Sequence, residues 1–174
     1  MPELPEVETV RRQLDRRLRR SRITGLKIWK SGREQPKGEM FFDGVIGKTI
    51  QSVDRRAKLL IWHFEEGGAM IGHLKMTGRF LFVESDHVPQ KHDRMLFLCT
   101  DKKGEVIPFV WADVRQFGFL HLVTSLELEK ILSGYGPEPL LVGTEILANR
   151  LTRPKTRTIK AALLDQSVIA GIGN

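Results

Sequence analysis

Leu59-Leu60-Ile61-Trp62-His63-Phe64-Glu65 and Ala69-Met70-Ile71-Gly72-His73-Leu74, parted by Glu66-Gly67-Gly68, decide the fold. Two short apolar runs joined by a glycine turn predict an antiparallel hairpin. The same pattern recurs on both sides. Ile23–Trp29, Lys48–Arg55, Arg79–Glu84, Arg94–Thr100, Val106–Trp111 and Phe117–Val123 read as further strands, with Lys102-Lys103-Gly104 as another turn. So many short strands without intervening helices predict an antiparallel β-sandwich. Segment 31–40 is polar, holds two glycines and a proline, and is expected to be a mobile loop.

Helical periodicity flanks this block, which makes the chain α+β. Residues 5–20 read as a helix: Pro5 suits its first position, and Glu6 and Glu8 suit its N-terminal dipole. Val7, Val10, Leu14 and Leu18 form its apolar stripe, and Glu8→Arg12 and Asp15→Arg19 are i,i+4 pairs. Beyond the sandwich, Thr124 or Ser125 caps Leu126–Leu132, with Leu128 available as a capping-helix contact, and Gly134–Pro139 is expected to be irregular. Gly143 or Thr144 opens a helix to about Leu151, and Thr158 caps a last helix from Ile159 to Val168, with Ala161, Leu164 and Val168 on one side. Residues 1–123 are therefore expected to form one domain and 124–174 a second module.

The 174 residues are 41% hydrophobic, enough for a core, and no run is long enough to span a membrane. The acidic start Met1-Pro2-Glu3-Leu4-Pro5-Glu6 has no apolar segment of a secretory signal, and the single cysteine, Cys99, excludes a disulfide framework or a cysteine-rich zinc site. A reducing cytoplasm is the expected home. The net charge is +7; residues 1–60 carry 15 basic and 8 acidic groups, while 61–174 carry 13 of each. Basic excess confined to one segment suits a polyanionic partner such as nucleic acid or an anionic membrane, although part of it is expected to be a solvated, paired helix face. His87 and His92 have no partner ligands at usable spacing for a metal.

Pro2 directly follows the initiator Met1. Removal of the methionine exposes a secondary amine that attacks aldehyde carbons and forms an iminium, a route to covalent catalysis. An α-amino group titrates near 8, so a neutral fraction exists at physiological pH. Glu3 and Glu6 stand beside it as candidate proton carriers. Read without other motifs, the same residues are a helix N-terminus with helpful acids.

Pro2-Glu3-Leu4-Pro5-Glu6-Val7-Glu8-Thr9-Val10 resembles the amino-terminal signature of the formamidopyrimidine-DNA glycosylases, bifunctional enzymes that remove oxidised purines and cleave abasic sites. The related endonuclease VIII type typically has Gly where this chain has Leu4. Further motifs follow in family order: Arg55-Arg56-Ala57-Lys58-Leu59-Leu60, similar to the strand carrying a catalytic lysine, His73-Leu74-Lys75-Met76-Thr77-Gly78, Lys91-His92-Asp93 and Asp113-Val114-Arg115-Gln116-Phe117-Gly118. Gly136-Pro137-Glu138-Pro139-Leu140 and Leu164-Asp165-Gln166 to Gly171-Ile172-Gly173-Asn174 resemble the family's helix–two-turn–helix DNA-binding module.

The resemblance implies roles. Pro2 would attack C1′ of the damaged nucleotide and form a Schiff base, Glu3 would act as general acid/base, Glu6 would support it, and Lys58 would assist proton transfer and hold a phosphate. Met76, Arg115 and Phe117 would fill the space left by a flipped nucleotide. His73, His92, Lys155, Lys160 and Asn174 would anchor phosphates, and the Gly171–Asn174 turn could present backbone N–H groups to one. Double-stranded DNA with oxidised purines or abasic sites is the implied partner, and a monomer the implied state. No cofactor is implied within these residues: the family's zinc sits in a C-terminal four-cysteine finger, absent here, so the sequence reads as truncated inside its DNA-binding module. Three readings stand: a glycosylase and abasic-site lyase, a non-catalytic DNA-binding remnant, and, from charge alone, an RNA- or ribosome-binding protein.

Overall fold

The computed structural model describes residues 2–29, 38–152 and 157–173. Helix α1 (Leu4–Leu18) leads into β1 (Arg22–Ile28), α2 (Gly38–Val45), and strands β2 (Ile50–Arg56), β3 (Leu59–Phe64), β4 (Ala69–His73), β5 (Gly78–Phe82), β6 (Asp93–Thr100), β7 (Val106–Asp113) and β8 (Phe119–Val123). Helices α3 (Ser125–Ser133), α4 (Thr144–Thr152) and α5 (Ile159–Leu164) complete the order, with a single 3₁₀ turn at Pro139–Leu141. Two four-stranded sheets form, ordered β1-β6-β7-β5 and β2-β3-β4-β8. Their pairings are antiparallel, so the fold is an α+β sandwich.

Alternation explains the layers. In β2 the buried positions are Ile50 and Val53, whereas β3 is buried along most of its length because a second apolar layer covers its outer face. Trp62, Met70, Phe97, Phe109 and Trp111 meet between the sheets, while Leu59, Ile61 and Ile71 pack outward against Leu128 of α3. Phe97 stacks on Phe109 at 4.8 Å between ring centroids.

Helix α1 buries Val7, Leu14 and Leu18, the expected stripe, and Val10 packs against the same core. It also covers an edge strand: Val53 of β2 donates its N–H to Asp15 Oδ1 at 2.9 Å, and Arg11 Nη1 donates to Val53 O at 3.4 Å. A sheet edge covered in this way is protected from pairing with another chain. The expected pairs Glu8–Arg12 and Asp15–Arg19 both form, each at 2.7 Å.

Four expectations need correction. Gly38–Met40, read as loop, begin α2, which Phe41 and Val45 anchor in the core at i,i+4 spacing; residues 31–37 lie outside the described residues. Lys58 is in the two-residue turn between β2 and β3, with Ala57 at φ +50°, rather than within a strand. Pro139, expected in an irregular stretch, starts the 3₁₀ turn. The last helix stops at Leu164, not Val168, and buries Ala162 while Ala161 is exposed. Asp165 ends it by accepting from Ser167 N at 2.9 Å and Ser167 Oγ at 2.6 Å, a local alternative to helical bonding.

Candidate active site

Helix α1 has a capping box at its start. Glu3 is the N-cap, its side chain accepts from the N–H of Glu6, and its own N–H donates to Glu6 Oε2. This fixes the backbone immediately after Pro2, which is half-buried. The free oxygen of Glu3 reaches across to the β2–β3 turn, where Lys58 Nζ sits 2.5 Å from Glu3 Oε2. The Lys58 side chain is 9% exposed and that of Glu3 38%, so a nearly buried cation holds a carboxylate that still faces solvent.

The other wall comes from the far end of the chain. Gly136 N–H donates to Gln166 O at 2.8 Å and Ala170 N–H to Pro137 O at 3.0 Å, which ties residues 166–170 to the segment after α3. Gln166 then shapes the glycine turn, accepting from Gly171 N–H at 2.7 Å and donating to Ile172 O at 3.0 Å. Gly171 takes φ +95°, and a Cβ added to Gly173 would lie 1.8 Å from Glu3 Oε2. The turn therefore lies directly on Glu3. Its Gly171 N–H is committed to Gln166, so it is not available to a phosphate as the sequence suggested.

Between these walls a cavity of about 290 Å³ is lined by Lys58, His73, Lys75, Tyr135, Gln166 and Gly173, among others. Burial pushes His73 down to about 4, with Lys75 and Lys58 adding to the effect, so its ring is neutral at pH 7. His73 Nδ1 accepts from the Lys75 N–H at 2.9 Å, which places the proton on Nε2 and makes His73 a neutral donor. A larger cavity of about 470 Å³, lined by Lys48, Phe64, Glu66 and Thr124, shares no residue with this site. Its two acids are already engaged: Glu66 accepts from the Thr49 N–H at 2.9 and 3.0 Å, and Glu127 from the Thr124 N–H at 2.8 Å.

Two loops extend from the sandwich near His73. Met76, 41% exposed, lies between β4 and β5; Phe117, 42% exposed, lies between β7 and β8. The Arg115 guanidinium lies 5.0 Å from the centre of the Phe117 ring. His92 is half-buried just before β6, and Lys160 is exposed in the first turn of α5. Lys155 and Asn174 lie outside the described residues.

The module carrying the glycine turn is clamped to the sandwich. Glu138 accepts from Arg55 Nη1 at 2.7 and 2.9 Å and from the Ala57 N–H at 2.8 Å, while Arg55 Nε donates to Glu8 Oε2 at 2.7 Å. Arg56 Nη2 adds a bond to Gly136 O at 2.6 Å. Of the basic residues in the first sixty, Arg11, Arg12, Arg19, Arg55 and Lys58 are paired with acids.

Residues 1–120 match the family described as formamidopyrimidine-DNA glycosylase N-terminal domain. The chain belongs to the formamidopyrimidine-DNA glycosylase family. It is 41% identical to the formamidopyrimidine-DNA glycosylase of Desulfitobacterium hafniense and 38% identical to that of Lactobacillus johnsonii, in each case over all of this chain and 63% of the relative. It therefore spans just under two thirds of the length of these curated relatives. Among solved structures, the Lactococcus lactis glycosylase in complex with abasic-site DNA superposes with a TM-score of 0.85 at 32% identity, covering 99% of this chain and 64% of that one. The same enzyme with FAPY-dG-containing DNA gives 0.85 at 33% identity, over the same shares.

Within this family fold, the structure brings Glu3, Glu6 and Lys58 together beside Pro2, and His73 onto the same cavity. Lys75, Tyr135 and Gln166, which also line that cavity, and the Arg55–Glu138 clamp had no role in the reading of the sequence. The only signal for the clamp was a charged residue, Glu138, inside a Gly-Pro-rich segment. Cys99 is a core residue of β6 whose thiol burial pushes up to about 12 against a hydrogen bond from Ser21. Among the described residues no group of three or more His, Cys, Asp or Glu side chains could hold a metal ion. No helix among them is long and apolar enough to cross a membrane.

Proposed function

We propose that this chain carries the base-excision chemistry of its family: removal of oxidised purines, 8-oxoguanine and formamidopyrimidines, from duplex DNA and cleavage of the abasic site through a Schiff base on Pro2. The observation that supports this most is the Glu3–Lys58 pair beside Pro2. In this reading residues 1–123 are the catalytic domain, residues 124–174 belong to a helix–two-turn–helix module, and the protein works as a cytoplasmic monomer on DNA. The family's zinc finger has no ligands among these residues.

The chemistry follows from the groups present. Once Met1 is removed, the lone pair of the Pro2 nitrogen forms a bond to C1′ of the lesion sugar. The bond from C1′ to the base breaks, and its electron pair leaves with the base, which takes up a proton. The Glu3 carboxylate takes the proton that the Pro2 nitrogen loses on forming the new bond and passes it to the sugar ring oxygen as the ring opens to the iminium, while the Lys58 ammonium, paired with it, keeps that carboxyl at the site and holds a flanking phosphate. The carboxylate regenerated by that transfer then takes a C2′ proton, and the electron pair left behind expels the 3′ phosphate. Glu6 acts through the backbone, holding the Glu3 N–H and with it the position of Pro2.

Sodium borohydride trapping on abasic duplex DNA tests the reading. A covalent adduct is expected with the wild-type chain, and Pro2→Gly retains part of it through its primary amine. Glu3→Gln loses excision of 8-oxoguanine. No wild-type adduct from protein whose mass shows Met1 removed would leave the chain a non-catalytic DNA binder.

The charge states predict a second difference. Because His73 is neutral at pH 7, His73→Ala weakens duplex binding without changing the slope of log K against log salt. Lys160→Ala lowers that slope by about 1, as expected when one phosphate contact is lost. Equal slope changes for the two variants, measured by anisotropy from 50 to 200 mM salt, would contradict these assignments.

A further inference from the structure

Asp113 closes β7 and is buried, yet it is a charged residue with no side-chain cation on its carboxylate among the described residues. Its polar atoms are all used. Oδ1 accepts from Thr77 Oγ1 at 2.5 Å and from the Arg115 N–H at 3.2 Å, and Oδ2 accepts from the Gly118 N–H at 2.8 Å. Its own N–H donates to His92 O at 3.0 Å, and its carbonyl accepts from Arg94 Nε at 2.9 Å and Nη2 at 2.7 Å. Arg94 is itself buried.

The partners share one property. Thr77 follows Met76, Gly118 follows Phe117, and Arg115 and His92 are bonded through their own backbones. Four side chains assigned to DNA thus stem from backbone held at, or one residue away from, a bond to a single aspartate. Burial alone does not fix three of the four, since Met76, Arg115 and Phe117 are all exposed. Sterics reinforce the arrangement. A Cβ on Gly78 would meet Trp111 Cη2 at 2.4 Å, and one on Gly118 would meet Trp111 Cζ2 at 2.5 Å. The buried Trp111 indole therefore fits between the bases of the two exposed loops. Lys75 and Gln116, at φ +50° and +60°, complete turns that a non-glycine residue holds only when its surroundings fix it.

We propose that Asp113, with Thr77, is the positioning residue that locks the β4–β5 and β7–β8 loops to each other, so that Met76, Arg115 and Phe117 enter DNA as one preassembled wedge. This rests on the reading above in which those three side chains occupy the space of a flipped nucleotide. Asp113 touches no DNA. It removes the cost of ordering three separate side chains at the moment of insertion, which would otherwise be drawn from the binding energy. A carboxylate suits the position because three donors converge on it. An asparagine offers one oxygen, and its NH₂ then faces a donor, so one loop is released.

The test reads insertion without relying on catalysis. A duplex carrying a tetrahydrofuran abasic analogue, with 2-aminopurine as the neighbouring base, brightens when a wedge unstacks that base. At saturating protein, wild type and Thr77→Ser are expected to raise the fluorescence. Thr77→Val, which keeps the shape and loses a hydroxyl that both donates to Asp113 and accepts from the Arg115 N–H at 2.9 Å, lowers the inserted population about tenfold or more, and Asp113→Asn by a similar factor. Thermal midpoints of the two threonine variants stay together. The proposal is overturned if Thr77→Val brightens the probe as wild type does. It is equally overturned if Thr77→Ser fails to rescue, or if wild type itself leaves the probe dark. A missing borohydride adduct with a normal fluorescence rise would sink the catalytic reading and leave the wedge standing.

Discussion

Gly173→Ala is expected to lower excision of 8-oxoguanine by about 100-fold, the scale of an ångström-level misplacement of a reacting group, while the fold persists. A Cβ at position 173 would lie 1.8 Å from Glu3 Oε2 and 2.5 Å from its Cδ. Something must move, and the cheapest movement is the end of the Glu3 side chain, which is partly exposed. That movement takes the carboxylate away from Lys58 Nζ. The stability lost is a single half-exposed ion pair, worth about 1 kcal/mol or less. The chemistry lost is the general acid. Single-turnover excision and a thermal melt on the same preparation separate the two. A large fall in melting temperature, or excision within a few-fold of wild type, would contradict the assignment of this contact.

Arg55→Met should have the largest effect on stability. Arg55 and Glu138 have side chains 17% and 8% exposed, and the guanidinium also serves Glu8. Removing one partner from a buried pair costs about 3–5 kcal/mol because the other charge is left without compensation. For a chain of this size that corresponds to a melting temperature lower by roughly 10 °C. The acid limb should change too. Burial raises the Glu8 carboxyl, but Arg11, Arg12 and Arg55 outweigh it and hold it at about 2, against an ordinary value of 4.5. A carboxyl depressed in the folded state adds stability that is fully present above about pH 4.5 and is lost as pH falls toward 2. With Arg55 gone, Arg11 and Arg12 remain, so the loss over that window shrinks. Urea midpoints measured between pH 7 and pH 3 check both statements. An unchanged midpoint at pH 7 would mean the clamp contributes nothing.

The strands were legible because their cues are local. Alternation and the glycine turns at 66–68 and 102–104 placed the eight strands within about two residues of their observed limits. Helix α1 was legible for the same reason, down to its two ion pairs. Helix α2 was hidden because its run is short, with Phe41 and Val45 as its core contacts among the described side chains, and a polar, glycine-containing segment precedes it. The turn at Ala57-Lys58 was legible only as the gap between Lys48–Arg55 and Leu59–Glu65, because no glycine or asparagine marks it; its positive φ is sustained by Glu138, 81 positions away, accepting the Ala57 N–H. The end of α5 was hidden because Asp165, Gln166 and Ser167 are compatible with a helix until the carboxylate of Asp165 finds Ser167.

The candidate site was legible in its residues and not in its supports. Pro2, Glu3, Lys58 and His73 are types whose chemistry announces itself, and a motif resemblance ordered them. Asp113, Glu138 and Gln166 act by accepting or donating hydrogen bonds between segments distant in sequence. No periodicity encodes such a partner, since hydrogen-bond satisfaction of a buried polar group is settled only in three dimensions. Gly173 illustrates the difference. In sequence it is one glycine in a flexible-looking tail, whereas in space it is the residue whose missing side chain admits Glu3.

The contact between Glu3 and Gly173 also sets an order of events during synthesis. Residue 3 is made 170 positions before residue 173, so the N-terminal segment exists long before the wall that packs against Glu3. At about 5–20 residues per second, the chain spends on the order of ten seconds or more with its N-terminal segment made and its cavity open. During that interval methionine removal has free access to the terminus, while the Glu3 carboxyl, the proton carrier of the reaction proposed above, still lacks one wall of its pocket. Nucleophile maturation and site closure are thus separated in time by the distance between them along the polypeptide.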